Sequence, residues 1–425
     1  MKYKENHYVP RWYQEKFLPS VGERKFYYLD LKPEQFRDPN GVLRTKRTTN
    51  GWQRWGTSSC FKETDLYTTK YGQYESTEIE RFFFGKVDEN GRKAVDLFSR
   101  YNSFDDFSGD TSPQEAFNSL LTYMSVQKFR TPKGLKYLSS LIRVSSKNRL
   151  LLELQRLQNL HCALWTECVW AIASADGAET KFIVSDHPVT VYNRDIFPEG
   201  EYARVHTDPD IRMNGTHTFF ALSPTRILIL TNLSWARNPY GKTETFRPNP
   251  GLFRDAMFNF TAIQTGRQLE DVEVNQINFI MKRRAQRFIA SPQEEWLYPE
   301  RKIPSEHWRK LDDRYLLMPD PRGLHMGGQM IIGYEGGRGE AFDEYGRRPW
   351  QKGYRKDTDA TEARTLRAFQ GEFARLFGPK RRGVSDDFGG RRSDTDDAEY
   401  HQYHLDLEKR NLPAGLKSRG NARAI

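Results

Sequence analysis

The period of the apolar positions changes several times along the first 300 residues. "KFYYLDL" (25–31) is an aromatic, β-prone run and predicts a strand. "TEIERFFFGKV" (77–87) has a polar entry followed by apolar residues and predicts the start of a helix, which the turn signal "ENG" at 89–91 is expected to break. The clearest helix is "SPQEAFNSLLTYMSVQKFR" (112–130), with Ser112 at the N-cap, Pro113 at N1 and Glu115 at N3, the layout of a capping box. Phe117, Leu120, Leu121, Met124 and Phe129 mark its buried side, and Thr131-Pro132 ends it, because the residue before a proline avoids the helical region. A second helical stretch fills 134–165. Three β-like runs follow at 169–175, 181–193 and 216–233, then a helix around 272–290. Helices before and after a group of strands predict an α+β fold, with helices flanking a mostly antiparallel sheet.

The patterning fades after residue 300. Residues 321–425 hold 16 of the 31 glycines and apolar positions thin out there. The expected organisation is one domain over 1–300, a linker over 301–320, and a basic Gly/Arg-rich tail over 321–425, partly disordered, with a short helix near 361–378.

Charge points toward acidic partners. The 425 residues carry a formal net charge of +10, with eight basic residues and one acidic residue between Lys128 and Arg156. That stretch, "KRRAQR" (282–287) and the Arg/Gly tail with Tyr334, Phe342, Tyr345, Trp350 and Tyr354 suggest nucleic acid as a partner. The 56 acidic residues mixed among the basic ones allow solubility as the simpler explanation. Three cysteines without a C-x-x-C supply neither a zinc knuckle nor a disulfide framework. No run approaches 18 apolar residues, so no membrane association is expected, and the chain reads as soluble and cytoplasmic. "HQYH" (401–404) lacks the H-E-x-x-H arrangement of a zinc helix.

Candidate chemistry is scattered. "NHYVPRWY" (6–13) places His7 and Tyr8 among aromatics at a chain start, where polar, frayed sequence is usual. His7 suits a general base or ligand; its structural alternative is a ring bonded to backbone. In "SDHPV" (185–189), Asp186 and His187 point to opposite faces of a strand, and Asp186 alternatively accepts backbone N–H groups. Glu80 and Asp88 on one unbroken helix would stand about 80° apart at ~100° per residue. Gln127 and Arg130 lie one turn apart, and Arg130 either grips a phosphate or carboxylate or caps its helix.

In this order, the pieces resemble an uncharacterised family with a domain of unknown function, whose members open on a histidine-tyrosine-valine-proline motif. "NHYVPRWYQEKF", "IERFFFGKVD", "QKFRTP", "SDHPV", "LSPTRILIL" and "INFIMKRRAQRF", with Asn278 and Ala285, match its sequence of motifs over residues 5 to 295. The resemblance marks His7, Glu80, Gln127, Arg130, Ser185 and Asp186 as motif positions. Two departures are Asp88, where a second glutamate often stands, and the interrupting Asn90-Gly91. The expected function is a metal-dependent, nuclease-like hydrolase of a phosphodiester or nucleotide. In it Glu80 and Asp186 hold Mg²⁺ or Mn²⁺, His7 is the base, and Gln127 and Arg130 serve catalysis, Arg130 also holding phosphate. Tyr8 and Ser185 touch substrate. The alternative is a non-enzymatic module that binds nucleic acid or an acidic partner; a metal-free small-molecule pocket is a third.

Overall fold

The computed structural model describes residues 5–20, 22–45, 52–107, 112–246, 263–324, 329–333, 337–343, 347–352, 354, 360–379, 381–385 and 394–411. Tyr334 and Tyr345 of the tail aromatics lie outside the described residues.

The chain begins with β1 (Glu5–His7), α1 (Arg11–Glu15) and β2 (Lys25–Asp30), followed by the hairpin β3 (Gln35–Arg37) and β4 (Leu43–Thr45). Next come β5 (Trp52–Gly56), β6 (Lys62–Thr64) and the hairpin β7 (Thr69–Tyr71) and β8 (Tyr74–Ser76). A π-helical segment over Ile79–Phe84 runs straight into α2 (Gly85–Phe98), and α3 (Pro113–Arg130), α4 (Pro132–Ile142), α5 (Lys147–Arg156) and α6 (Cys162–Thr166) follow. The strand-rich part comprises β9 (Cys168–Ser174), β10 (Val184–Ser185), β11 (Thr190–Tyr192), α7 (Glu201–His206), β12 (His217–Ala221), β13 (Arg226–Asn232), α8 (Leu233–Arg237), β14 (Ile263–Gln268), α9 (Asp271–Arg284) and β15 (Phe288–Ser291). Last are the hairpin β16 (Gln329–Gly333) and β17 (Gly339–Asp343), α10 (Ala360–Phe377), β18 (Val384–Ser385) and α11 (Asp394–Asn411).

Among the described residues, two larger sheets organise the molecule. One has the order β10-β15-β2-β5 and is antiparallel throughout; the other has the order β11-β12-β13-β9-β14-β18 and is antiparallel except for the parallel β14–β9 pair. β9 to β13 are buried almost completely, as expected of strands covered on both faces. The fold is α+β. No helix among the described residues is long and apolar enough to cross a membrane.

Several local expectations change for identifiable reasons. "ENG" does not break a helix: α2 continues through Asn90-Gly91 because Gly91 is buried against Tyr123 of α3, and a Cβ there would overlap the ring. The glycine weakens the helix by up to about 1 kcal/mol relative to alanine, yet it is what lets α2 and α3 approach closely. Ser112 stands at the N-cap of α3 but makes no side-chain cap bond, so the capping box with Glu115 does not form. The stretch 134–165 divides into three helices, the first ended by Arg143 in the left-handed region at φ 53°. The helix over 272–290 stops at Arg284, and Phe288 onward belongs to β15.

The region expected as linker and tail is partly packed. Trp308, Leu311, Leu316, Leu317 and Met318 are buried. Phe369 and Phe373 of α10 form a small core with Trp235, Tyr315 and Met318. β18 adds to the edge of the six-stranded sheet beside β14. The reason is amphipathicity: α10 carries Leu366, Phe369 and Phe373 on one side, and they bury against the end of the sheet domain.

Candidate active site

The chain start is held by its aromatics. Tyr8, Val9, Tyr13 and Phe17 are buried; Tyr13 stacks on Phe220 at 5.1 Å, and its hydroxyl donates to the Ala221 carbonyl at 2.6 Å. Trp12 packs on Tyr123 at 5.3 Å. This anchoring fixes β1, which pairs with β6 so that Asn6 faces Glu63 and His7 faces Lys62.

Strand alternation then decides which residue enters the site. Successive side chains of a strand point to opposite faces. Asn6 and Tyr8 are buried on the inner face, whereas His7 lies on the other, its Nε2 3.3 Å from the Ser58 carbonyl. Burial lowers the His7 pKa, with Arg11 and Lys62 adding to that direction. His7 thus stands on the face of β1 turned away from the acidic cluster, in contact with the Ser58 carbonyl. Its neighbour Asn6 is the residue that reaches the acidic cluster: Asn6 Nδ2 donates to Glu80 Oε2, and Asn6 Oδ1 accepts from the Tyr67 amide at 3.2 Å, which fixes the amide's orientation.

Around Glu80 four separate segments close a frame. Tyr67 donates its hydroxyl to the Arg130 carbonyl at 2.8 Å. Arg130 Nε donates to Gln127 Oε1 at 2.6 Å, and Gln127 Nε2 donates to the Tyr8 carbonyl at 2.9 Å. Both ends of Gln127 are thus spent on positioning Arg130 against β1. Arg130 Nη2 meets Asp88 Oδ1 at 2.9 Å, and the guanidinium lies over the rings of Phe84 (5.6 Å) and Tyr123 (5.8 Å). Glu80, Phe84 and Asp88 follow at i, i+4 and i+8 along the π-helical segment and α2, so one face of one continuous helix carries all three toward Arg130. π-helical turns occur frequently at functional sites, because the widened turn re-aims its side chains. β6 is flanked by two residues in the left-handed region, Phe61 at φ 48° before it and Asp65 at φ 58° after it, the second at the start of the loop that carries Tyr67.

The electrostatics of Glu80 follow from this frame. Burial pushes its pKa up to about 7, against the opposing hydrogen bond from Asn6 and the charge of Arg130, while Asp88 adds to the rise. Asp88 is raised by burial as well and pulled the other way by Arg130. Arg130 itself is 1% exposed; burial works against its charge, but Asp88 with Tyr123 and Tyr67 leaves its pKa raised. The cluster therefore holds one permanent cation, one carboxylate paired to it, and one half-buried carboxyl balanced between its two protonation states near neutrality.

The "SDHPV" residues have another occupation. Asp186 Oδ1 accepts from the Gln286 amide at 2.8 Å, and Oδ2 accepts from the Arg287 and Phe288 amides at 2.6 and 2.9 Å. Both oxygens are used to clamp the start of β15 onto β10. Ser185 Oγ accepts from the His187 amide at 3.2 Å and is fully buried. Three backbone N–H groups therefore hold Asp186 in a structural role, and the hydrogen bonds among the described residues do not join it to Glu80. Among the described residues no group of three or more His, Cys, Asp or Glu side chains converges as a metal site.

Behind the end of α3 lies a second polar network that no sequence signal announced. Asp208 accepts from Lys128 at 2.9 Å and Lys133 at 2.5 Å, and its Oδ2 lies 3.0 Å from His187 Nε2. Thr131 caps α4 by accepting from the Gly134 amide at 3.0 Å, and its hydroxyl meets His187 Nδ1 at 2.7 Å. This pattern assigns the Nε2–H tautomer to His187, with the Thr131 hydroxyl donating to Nδ1. Burial alone would raise Asp208, but Lys128 and Lys133 hold its carboxyl well below the usual range. Burial, with Lys128, pushes His187 down to about 4. The preceding residue, Thr207, sits at φ 65°, ψ −51°, a strained backbone for a β-branched side chain. Every member but Lys133 is at most 4% exposed, so the network is a closed lock that fixes the α3–α4 corner carrying Arg130.

Similarity to a known family begins beyond α4, at residue 145. No curated protein and no solved structure matches the chain. Asp186, His187, Asp208 and Asn278 fall within the span that a family model matches, whereas Asn6, Glu80, Asp88, Gln127 and Arg130 precede it. Over residues 145–295 the chain matches a family described as protein of unknown function (DUF4238), which bears out the resemblance to an uncharacterised family across that span.

Proposed function

We propose that the protein is a hydrolase of a phosphodiester or nucleotide-like substrate, working by acid–base chemistry at Glu80. The observation that carries this reading is the convergence of Asn6, Glu80, Asp88, Gln127 and Arg130 from segments far apart in sequence on one half-open carboxyl. A titratable group perturbed by burial and by a specific charge partner, and still reached by solvent, is a functional-site candidate. In the proposed reaction the Glu80 carboxylate takes a proton from the attacking water and, as the carboxylic acid, returns it to the leaving oxygen. A pKa near the working pH suits both steps. Asn6 holds the carboxyl in one orientation, and Arg130, kept charged by Asp88, offsets negative charge that develops beside it. The net charge of +10 favours anionic substrates at longer range.

The test uses the full chain with a phosphodiester panel (bis-p-nitrophenyl phosphate, mononucleotides and short oligonucleotides), wild type beside Glu80→Gln. The expected result is a loss of about 10²–10⁴ in kcat/KM, the usual contribution of a positioned acid–base group. Stability should move the other way. Glu80 is disfavoured as an anion in the folded state, so its contribution is complete below the unfolded value of about 4.3 and is lost as pH rises through the folded value. Glu80→Gln, which never ionises, should therefore melt no lower than wild type at pH 8. Full activity in the variant would contradict the proposal.

A further inference from the structure

A cleft of ≈ 680 Å³ lies beside the Glu80 cluster, between α2 and the N-terminal half of α3. Phe83, Val87 and Asn90 line it at i, i+4 and i+7, one face of α2 over from Glu80, Phe84 and Asp88. Its volume is that of a small-molecule site. Its chemistry is unusual for a surface groove between two helices. Phe82 is 63% exposed at the cleft and Phe83 partly buried beside it. Facing these rings are four primary amides, Asn90, Gln114, Asn118 and Gln158. No hydrogen bond within the described residues uses any of the four. Ser112 and Glu115, the residues of the capping box that does not form, also face the cleft rather than the helix end. The charged lining is one of each sign, Lys86 and Glu115, so the cleft selects a nearly neutral group.

We infer that this cleft is a nucleobase subsite, in which a planar heteroaromatic ring stacks on Phe82 or Phe83 and is read along its edge by the amides. An aromatic face binds any flat ring, and amide side chains present a donor and an acceptor together, which matches the mixed edge of a base and not a phosphate. Within the chain the Phe82 ring meets the Arg81 guanidinium at 5.2 Å and is otherwise largely open to solvent, and this ligand would use both the ring and the amides. The inference deepens the hydrolase proposal by naming the substrate as a nucleotide. It rests on that reading for the chemistry and not for the binding.

The experiment therefore uses nucleosides, which carry no phosphate to hydrolyse. Binding of adenosine, guanosine, cytidine and uridine to the full chain is measured by saturation-transfer NMR and calorimetry, in wild type, Phe82→Ala, Asn118→Ala and Glu80→Gln. The expected result is saturable binding of at least one nucleoside. Phe82→Ala should weaken it about 5- to 150-fold, the range of one base–aromatic stack. Asn118→Ala should change the preference among bases, and Glu80→Gln should leave binding intact. Phe82 is exposed, so its variant keeps the fold. Absence of nucleoside binding at millimolar concentration, binding indifferent to Phe82→Ala, or Phe82-dependent binding of N-acetylglucosamine instead would each overturn the inference. Loss of hydrolysis in Glu80→Gln with no nucleoside binding would leave the acid–base reading standing and remove this one.

Discussion

Asp208→Asn lowers the unfolding free energy by about 3–5 kcal/mol, the usual result of removing one partner from a buried ion pair. The loss arises because Lys128 and Lys133 both donate to the same carboxylate in a closed site and would be left without their counter-charge. The double variant Asp208→Asn/Lys133→Met should recover part of the loss, because one of the two buried charges that drive it is gone. Urea unfolding of the four members of this cycle measures both effects. The pH dependence has a definite sign. Asp208 has a depressed folded pKa, so its contribution is complete above the unfolded value of about 3.9 and is lost as pH falls through the lower folded value. His187, lowered to about 4, adds stability that is present above its unfolded value of about 6.5 and is lost between there and about pH 4. Asp208→Asn should therefore show a shallower acid limb, along with its lower plateau.

Arg130→Met is the second large change, with a similar loss of about 3–5 kcal/mol. Arg130 is the hub at which Asp88, Gln127 and the Tyr67 hydroxyl meet, with Phe84 and Tyr123 against its guanidinium. Without the cation, Asp88 remains half-buried beside Glu80 with nothing to balance it. Arg130→Met/Asp88→Leu should be more stable than Arg130→Met alone, since an apolar replacement of a whole buried pair is often neutral. The single variant has a second signature. Arg130 pulls the Glu80 pKa down and Asp88 pushes it up, so losing the cation moves Glu80 upward and shifts the basic onset of activity to higher pH. A stability loss without that shift would mean that Arg130 is structural only.

Much of the fold was legible where one element has strong boundaries. α3 was bounded by Pro113 and Thr131-Pro132, and the structure ends it there. β9, β12 and β13 stood out as apolar runs because both their faces are covered. The candidate site was less legible, and period-2 alternation explains why. In "NHYVP" the histidine is the residue that stands out in the sequence, while the residues that turn inward are Asn6 and Tyr8 on either side of it. In "SDHPV" the two neighbours part as strand residues do: Asp186 accepts from three backbone amides, the structural alternative that the sequence offers for it, and His187 joins a polar network. Gly91 read as a turn because its packing partner, Tyr123, is brought in by tertiary contact. Asp208 carried no signal, since "VHTDPD" (205–210) reads as a polar loop and only the folded corner at Thr131 gives this carboxylate its two lysines.

Acid–base work at this site requires Glu80 to titrate near neutrality inside its frame. A ¹³C NMR titration of the side-chain carboxyl carbons in glutamate-labelled protein, assigned by Glu80→Gln, measures it directly. The expected Glu80 midpoint is about 7, moving higher still in Asn6→Ala, which removes the hydrogen bond that favours the carboxylate. A midpoint in the ordinary glutamate range, about 4.3, with no response to Asn6→Ala, would contradict the acid–base role.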